Sequence, residues 1–388
     1  MRVALFTNNY LPFRGGVTTS VETLRRGLDA LAHRAWVFAP APSVPLADPP
    51  WVFRYPSIPA PTYPGFALPV PYSPRLFRTA RALDPDIVHA QHPFLLGPTA
   101  RRLARRHGCP LVFTYHTRYE KYAHYVPLPE RFVAALAVRL SCRFASSADL
   151  VIAPSARIAE TLRERGVTAP VVVVPTGIPL DLFCPGDRRE ARRRLGLPSD
   201  ARLCLYVGRL DREKSVDRII DAFGTIADAV GDAHLILVGE GTHLPAAQRR
   251  AEASAARDRI HFHRGMAREA LPKFYRAADL FLFASETETQ GLVLAEAHGC
   301  GLPAVAVRAS GVNEVVRDGE SGLLTKAESR ELAEAAVGLL LDPERRAVMG
   351  RAARGVAERE FSAALQVEEM TRHYRDLLQS GTARRSRG

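Results

Sequence analysis

Residues 285–314 read SETETQGLVLAEAHGCGLPAVAVRASGVNE. The run before them, Leu280-Phe281-Leu282-Phe283-Ala284, is continuously apolar and predicts a buried strand. After Gly291 comes LVLAEAH, a short helical pattern, stopped by Gly299-Cys300-Gly301 and Pro303. A second strand (Ala304–Val307) and a second glycine turn (Ser310-Gly311) follow. In a parallel α/β sheet this order puts Glu288 and the backbone N–H groups of Gln290, Gly291 and Leu292 at the carboxyl end of a strand. N–H groups that open a helix are unpaired donors with partial positive charge, suited to an anion or a sugar hydroxyl. Seven residues separate Glu288 from Glu296. Helical spacing puts Glu296 about two turns in, roughly 80° round from Glu288, where each could hold a pair of hydroxyls. The plainer reading is an ordinary helix with one solvated and one capping glutamate.

With 388 residues, 47% of them hydrophobic and 24% charged, the chain fits about two soluble globular domains. Five cysteines (109, 142, 184, 204, 300) show no C-x-x-C spacing, which predicts reduced cytosolic thiols rather than disulfides or structural zinc. The opening MRVALFTNNYLPF is too short in its apolar part for a signal peptide, and no run approaches a membrane span. Net charge is +12, and residues 1–180 carry 21 Lys and Arg against 10 Asp and Glu, so nearly all the excess lies in the first half. A one-sided basic surface suits membrane headgroups, nucleic acid or a phosphorylated substrate. Only four of the 53 basic residues are Lys; an Arg-rich composition accounts for their abundance but not for the asymmetry.

Residues 1–7 form an apolar strand, NNYLPFRGGVTTS a glycine-containing loop, and residues 18–33 an amphipathic helix. This is a doubly wound opening without the dinucleotide fingerprint. Gly15-Gly16 marks either a tight turn or a close backbone approach to a phosphate or sugar. Residues 40–74 hold twelve prolines with interleaved aromatics and predict a largely extended surface excursion, packed on its own domain or facing a membrane. A basic amphipathic turn or two (residues 75–83) follows. Strands at residues 86–90 and Leu111–Thr114 lead to His92 and to Tyr115-His116-Thr117, at carboxyl ends where ligands bind. Residues 131–146 predict a cationic apolar helix, either facing a membrane or, the reading preferred, with its apolar face in the core and Arg139 and Arg143 outward. Strands at Leu150–Ala153 and residues 171–174 complete the first half. In the second, a strand at residues 203–207 ends in GRLDREK, and Arg209 and Lys214 there can neutralise a pyrophosphate. Residues 235–238 form another strand, closed by Gly239-Glu240-Gly241.

The string TETQGLVLAEA with Gly301-Leu302-Pro303 and Gly311 resembles the nucleotide-sugar site of the retaining glycosyltransferase family four. The likeness runs along essentially the whole chain. It implies the GT-B architecture, α/β, with two doubly wound Rossmann-like domains facing across an interdomain cleft. The implied domains are an acceptor-side domain at residues 1–177 and a nucleotide-sugar domain at 178–362. At 363–388 a helix crosses back to the first domain and ends in a disordered tail. LPFRGGV looks like the loop covering the donor, which implies donor contacts from Gly15 and Gly16. Many relatives have Asp where this chain has Asn8, and no role is assigned there. Arg209 and Lys214 resemble the diphosphate clamp. Glu288, Gln290, Gly291 and Leu292 would hold sugar hydroxyls, Glu296 the ribose, and Gly239 and Met266 the rest of the donor. His116 would lie near sugar and acceptor, so the implied catalytic set is His116, Arg209, Lys214 and Glu288.

TYHTRYEKYAHYVPLP resembles the subset of the family that glycosylates diacylglycerol, which makes His92, Tyr119, Glu120, Tyr122, His124 and Tyr125 acceptor-side candidates. The implied reaction moves a hexose, glucose foremost, from a UDP-sugar to a lipid hydroxyl with retention. GDP-mannose as donor, and a soluble acceptor such as a polysaccharide or inositol phosphate, form the alternative. No D-x-D stands where a metal would be expected, so neither metal nor other cofactor is expected. The expected partners are the nucleotide-sugar, the lipid acceptor and an anionic membrane surface, not nucleic acid, with the chain cytoplasmic and peripheral to the inner face of the cell membrane. A nucleotide- or nucleic-acid-binding protein without transfer activity is the reading from another class. It is disfavoured because Arg209, Lys214, Glu288 and Glu296 are all present.

Overall fold

Apolar runs of four to seven residues alternate with amphipathic segments, and a run too short for a helix but β-branched or aromatic becomes a buried strand. The computed structural model describes residues 1–13, 15–44, 46–60, 63, 66–126 and 128–385. The chain divides into two units, Met1–Gly177 with Ala363–Gly388, and Ile178–Ser362.

The first unit begins with β1 (Arg2–Phe6), α1 (Gly16–Ala30), β2 (Arg34–Pro40), β3 (Val52–Tyr55), β4 (Ser57–Pro59), β5 (Ala67–Pro69) and α2 (Pro74–Ala82). It continues through β6 (Ile87–Ala90), α3 (Leu96–His107), β7 (Leu111–Thr114), a 3₁₀ turn (Tyr119–Tyr125), α4 (Glu130–Ala145), β8 (Leu150–Ala153), α5 (Ala156–Glu164) and β9 (Val171–Val173). Seven strands form a parallel sheet in the order β3-β2-β1-β6-β7-β8-β9, so the winding reverses beside β1. β4 and β5 pair as a separate antiparallel hairpin.

The second unit holds α6 (Arg188–Leu195), β10 (Arg202–Val207), α7 (Val216–Ala229), β11 (Ala233–Val238), α8 (Leu244–Glu252), β12 (Ile260–His263) and α9 (Pro272–Ala277). Then come β13 (Leu280–Phe283), α10 (Leu292–Gly299), β14 (Ala304–Val307), β15 (Gly322–Thr325), α11 (Ser329–Leu340) and α12 (Pro343–Glu360). Its six strands are parallel in the order β12-β11-β10-β13-β14-β15, with Cys204 and Leu205 opposite Leu280 and Phe281. The winding reverses between β10 and β13, and open α/β sheets bind ligands beyond the carboxyl ends of the strands at such a point.

The last helix, α13 (Ala363–Arg385), belongs to the first unit. Its Val367, Met370 and Tyr374 are buried with Val21, Leu24 and Leu28 of α1. The Tyr374 hydroxyl lies 2.6 Å from Nδ1 of His89 in β6, and the other ring nitrogen lies 2.7 Å from the Thr114 hydroxyl. Both polar side chains are thereby satisfied inside a core where an unmade hydrogen bond is costly. Burial pushes the His89 pKa down to about 3, so the ring is neutral.

Four expectations are revised. α1 starts at Gly16 rather than residue 18, because Gly15 is the extended residue before the helix. The proline-rich stretch is not only an excursion: Val52–Tyr55 is the edge strand of the large sheet, where prolines on either side do no harm, and Tyr55 is wholly buried. α4 buries only its last turns, through Ser141, Cys142, Phe144 and Ala145, while Phe132, Leu136 and Leu140 are exposed beside Arg139 and Arg143. Of the tail expected to be irregular, residues 381–385 continue α13 and residues 386–388 lie outside the described residues. Among the described residues no helix is long and apolar enough to cross a membrane.

His89, His92 and His116 in the first unit all have pKa values pushed down to about 3, first by burial. A depressed imidazole pKa gives stability that is whole above the unfolded value near 6.5 and is lost as pH falls toward 3. Each ring should therefore cost about 2 kcal/mol of unfolding free energy between pH 6.5 and pH 5. Urea unfolding at pH 7 and pH 5 should show this loss, and His89→Leu should make the slope shallower. A flat profile in the parent protein would count against neutral burial.

Candidate functional site

β10 and β13 are neighbours, so the loops at their carboxyl ends emerge side by side. The loop after β10 carries Arg209 and Lys214; the loop after β13 carries Glu288. Lys214 Nζ donates to Glu288 Oε1 at 2.6 Å, with side-chain exposures of only 12% and 18%. Burial pushes the Glu288 carboxyl up, but the Lys214 ammonium and a hydrogen bond from Ser285 outweigh it and hold the group below its ordinary value. Arg209 is braced by two acidic neighbours: it donates to Asp211 and, at 2.9 Å, to Glu213. Asp211 is fully buried and also accepts from the backbone N–H and hydroxyl of Thr242 at 2.7 and 2.9 Å. Two cations are thus held on short loops beside a glutamate that is ionised at neutral pH.

Glu288 lies in the loop before α10, not on the helix, so the angle taken from helical spacing does not apply to it. Gly291 sits at φ +78° as the residue before α10, a backbone conformation that favours glycine and turns the first N–H groups outward. Leu292 begins the helix and Gln290 is buried beneath it. Glu296, in the middle of α10, is buried at a different depth. Its Oε1 accepts from Arg268 Nη2 at 3.0 Å and its Oε2 from the Tyr275 hydroxyl at 3.0 Å. Burial raises the Glu296 pKa although Arg268 opposes it, so the two glutamates are pushed in opposite directions. Gly239 has a structural reason of its own: a Cβ there would stand 1.8 Å from the Gly208 carbonyl oxygen. Met266 packs against the core of the second unit.

In the first unit, His116 follows β7 and Gln91 and His92 follow β6. His116 Nε2–H donates to Gln91 Oε1 at 2.7 Å, which leaves Nδ1 as the acceptor nitrogen. Burial keeps the ring neutral, with its pKa pushed down to about 3. His92 is buried, and its Nδ1 accepts from the Asn8 backbone N–H at 3.1 Å. The Asn8 side chain bridges the Phe94 carbonyl (3.0 Å) and the Leu96 N–H (3.1 Å), so it fastens β1 to the start of α3. Gly15 is extended and Gly16 opens α1. Arg14 lies outside the described residues.

The acceptor-side candidates divide into two groups. Tyr119 packs edge-on against Phe94 and Tyr115, at 5.1 and 5.7 Å between ring centres. Glu120 is bound by Arg165 at 2.9 Å and lies 3.4 Å from Arg118. Both hold the 3₁₀ turn to the body of the unit. Tyr122 and His124 flank Tyr125, which meets Tyr63 at 5.6 Å. Tyr63 and Phe66 in turn meet Phe13, so two segments more than fifty residues apart and the loop before α1 form one aromatic cluster. Sequence reasoning missed Phe13, Tyr63 and Phe66 as a unit with Tyr125; the only signal was the aromatics among the prolines. It also missed Arg268 and Tyr275, the partners of Glu296. Among the described residues no group of three His, Cys, Asp or Glu side chains is placed to hold a metal ion.

Comparison with known proteins bears on the whole chain. The profile of Glycosyltransferase Family 4 matches residues 14–182, and that of Glycosyl transferases group 1 matches residues 187–356. An alpha-monoglucosyldiacylglycerol synthase of Acholeplasma laidlawii is 29% identical over 357 residues, with 89% of each chain covered. A GDP-mannose-dependent alpha-mannosyltransferase of Mycobacterium tuberculosis is 32% identical over 383 residues, with 96% of each covered. Among solved structures, Anabaena HepE in complex with UDP-glucose has a TM-score of 0.78 at 22% identity, covering 97% of this chain and 100% of that one. That last likeness is one of fold. With two parallel Rossmann-like sheets and these relatives along nearly its full length, the chain belongs to glycosyltransferase family 4 and has the GT-B fold class.

Proposed function

We propose that the protein transfers a hexose, glucose foremost, from a nucleoside diphosphate sugar to a hydroxyl of diacylglycerol or a related glycolipid, with retention and without a metal ion. The observation that carries the donor half is the Lys214–Glu288 pair beside Arg209 at the reversal point of the second sheet. Arg209 and Lys214 stabilise the charge that grows on the departing diphosphate, an electrostatic contribution made where it matters most. Glu288 and the backbone of Gln290, Gly291 and Leu292 hold sugar hydroxyls, Glu296 the ribose, and Gly239 and Met266 the remaining donor surface. Gly15, Gly16 and the neutral His116 serve the reaction from the first unit. The bond from the anomeric carbon to the leaving phosphate oxygen breaks, and the acceptor oxygen forms its bond on the same face. The acceptor proton passes to the departing phosphate, so no protein nucleophile is required.

The lipid acceptor is supported by the likeness to the Acholeplasma synthase, by the basic first half and by the exposed face of α4. Apolar side chains flanked by arginines suit an anionic bilayer surface. Tyr122, His124 and Tyr125, with Phe13, Tyr63 and Phe66, form the acceptor surface. On this reading the protein is peripheral to the inner face of the cell membrane. The second reading is transfer of mannose from GDP-mannose, favoured by the identity to the mycobacterial enzyme.

A panel of UDP- and GDP-sugars, with and without diacylglycerol in anionic vesicles, decides between these readings. Consumption of UDP-glucose only in the presence of lipid is expected; GDP-mannose consumption without lipid would replace the proposal. Lys214→Met should lower kcat by about 100-fold or more, since it removes one electrostatic stabiliser. The same variant should lose about 2–3 kcal/mol of stability at pH 7, because it leaves a largely buried carboxylate unpaired. In the parent, the depressed Glu288 pKa gives stability that is present above 4.5 and lost as pH falls through the folded value. In the variant the carboxyl is pushed up instead, so its deficit should shrink as pH falls toward 4.5. Phe132→Ser with Leu136→Ser should reduce sedimentation with phosphatidylglycerol vesicles several-fold at low salt; unchanged sedimentation would remove α4 from the membrane contact.

A further inference from the structure

The second unit has a concave feature at the end of its sheet opposite Arg209, Lys214 and Glu288. A crevice of about 410 Å³ is lined by Arg188, Arg276, Asp279, Arg346, Arg351 and Arg354, among others. Asp279 immediately precedes β13, and Pro303, also in the lining, immediately precedes β14. The crevice therefore lies at the amino ends of the strands, whereas Arg209, Lys214 and Glu288 follow the carboxyl ends. Six residues of β10 separate the two ends, roughly 20 Å of extended chain.

The charges here do not balance. Asp279 is the only carboxylate in the lining, and its side chain is 5% exposed. It is bonded to Arg188 at 2.8 Å and to Arg192 at 2.6 Å, with Arg346 at 3.8 Å, and it also accepts from the Leu203 N–H at 2.9 Å. Its lone pairs are spent on two guanidinium groups and an amide, with the third guanidinium beyond hydrogen-bond distance. Arg276 donates to the carbonyl oxygens of Leu182 and Cys184, and Arg354 to those of Phe183 and Gly299. Carbonyls satisfy N–H groups but do not cancel a charge. Glu358 answers Arg354 at 2.6 Å. The Arg351 side chain is exposed and makes no hydrogen bond or ion pair among the described residues. Arg346 sits in the first turn of α12, where the helix adds its own partial positive charge.

Arg276, Arg346 and Arg354 are partly buried, whereas Arg188 and Arg351 are exposed at the rim; partly buried cations with too few carboxylates favour an anion from solution. Guanidinium forks match the oxygens of a phosphate two at a time. The volume exceeds what a lone inorganic ion fills and falls in the range of small-molecule sites. We propose that this crevice binds a small phosphorylated ligand, a phosphomonoester or diphosphate, at a site separate from the one that follows β10 and β13.

Inorganic pyrophosphate is the probe, titrated calorimetrically into the parent protein, Lys214→Met, and Arg351→Glu with and without Arg188→Ala. The parent and Lys214→Met should share one saturable binding event, weakened at least tenfold by Arg351→Glu and lost in the double variant. Arg351→Glu removes no side-chain hydrogen bond or ion pair among the described residues, so it serves alone if the double variant does not fold. Binding that vanishes in Lys214→Met and persists unchanged in Arg351→Glu would overturn the proposal, as would the absence of saturable binding in the parent. Phosphatidic acid vesicles control for a lipid headgroup. Vesicle binding that depends on Arg351, with no binding of pyrophosphate, would overturn the assignment to a soluble ligand.

Discussion

One ammonium–carboxylate bond, 2.6 Å long, ties the loop after β10 to the loop after β13. The two loops meet because parallel strands deliver their carboxyl ends to the same edge. The bond holds the Glu288 carboxyl below its ordinary value in a setting where burial alone would push it up. Arg209 depends on a similar arrangement, held in place by Asp211 and Glu213, with Asp211 itself fixed by Thr242 from the next loop. The result is a patch of ordered charges whose orientation is set before any anion arrives. Preorganisation of this kind is what lets electrostatics favour a transition state over the ground state.

Much of this was legible in the amino-acid order. Buried parallel strands announce themselves as uninterrupted apolar runs, as at residues 280–284, and glycines mark where loops leave them. What could not be read were pairings over distance. Lys214 and Glu288 were each singled out, yet nothing in a linear pattern says that residues 74 apart share a hydrogen bond. Arg268 and Tyr275 escaped notice because surface-type and core-type residues carry no mark of the carboxylate they will serve. β3 was hidden by its flanking prolines, which are harmless at a sheet edge. α4 shows the limit of periodicity most clearly: an apolar stripe states that something covers it, not whether the cover is protein or lipid.

The first unit combines rigid and open parts. His89, His92 and Asn8 are buried and hydrogen-bonded, and His89 and Asn8 fasten the central strands to α13 and α3. Above them the aromatic rings of Phe13, Tyr63, Phe66 and Tyr125 meet mostly edge-on, an arrangement that offers broad apolar area with little conformational entropy to lose. Sites built this way owe precision to the buried polar layer and adaptability to the rings.

The position of α13 has a consequence for how the chain is made. Its partners α1 and β6 leave the ribosome about three hundred residues before Tyr374 does. The inner segment, residues 178–362, can finish its own core while the outer one still lacks a wall. Until the final helix docks, the nascent first unit exposes the apolar flank of α1 and leaves one nitrogen of a core histidine without its phenol partner. That unit is completed only after the whole second unit has been made, and the interval before it is when a chaperone has most to cover.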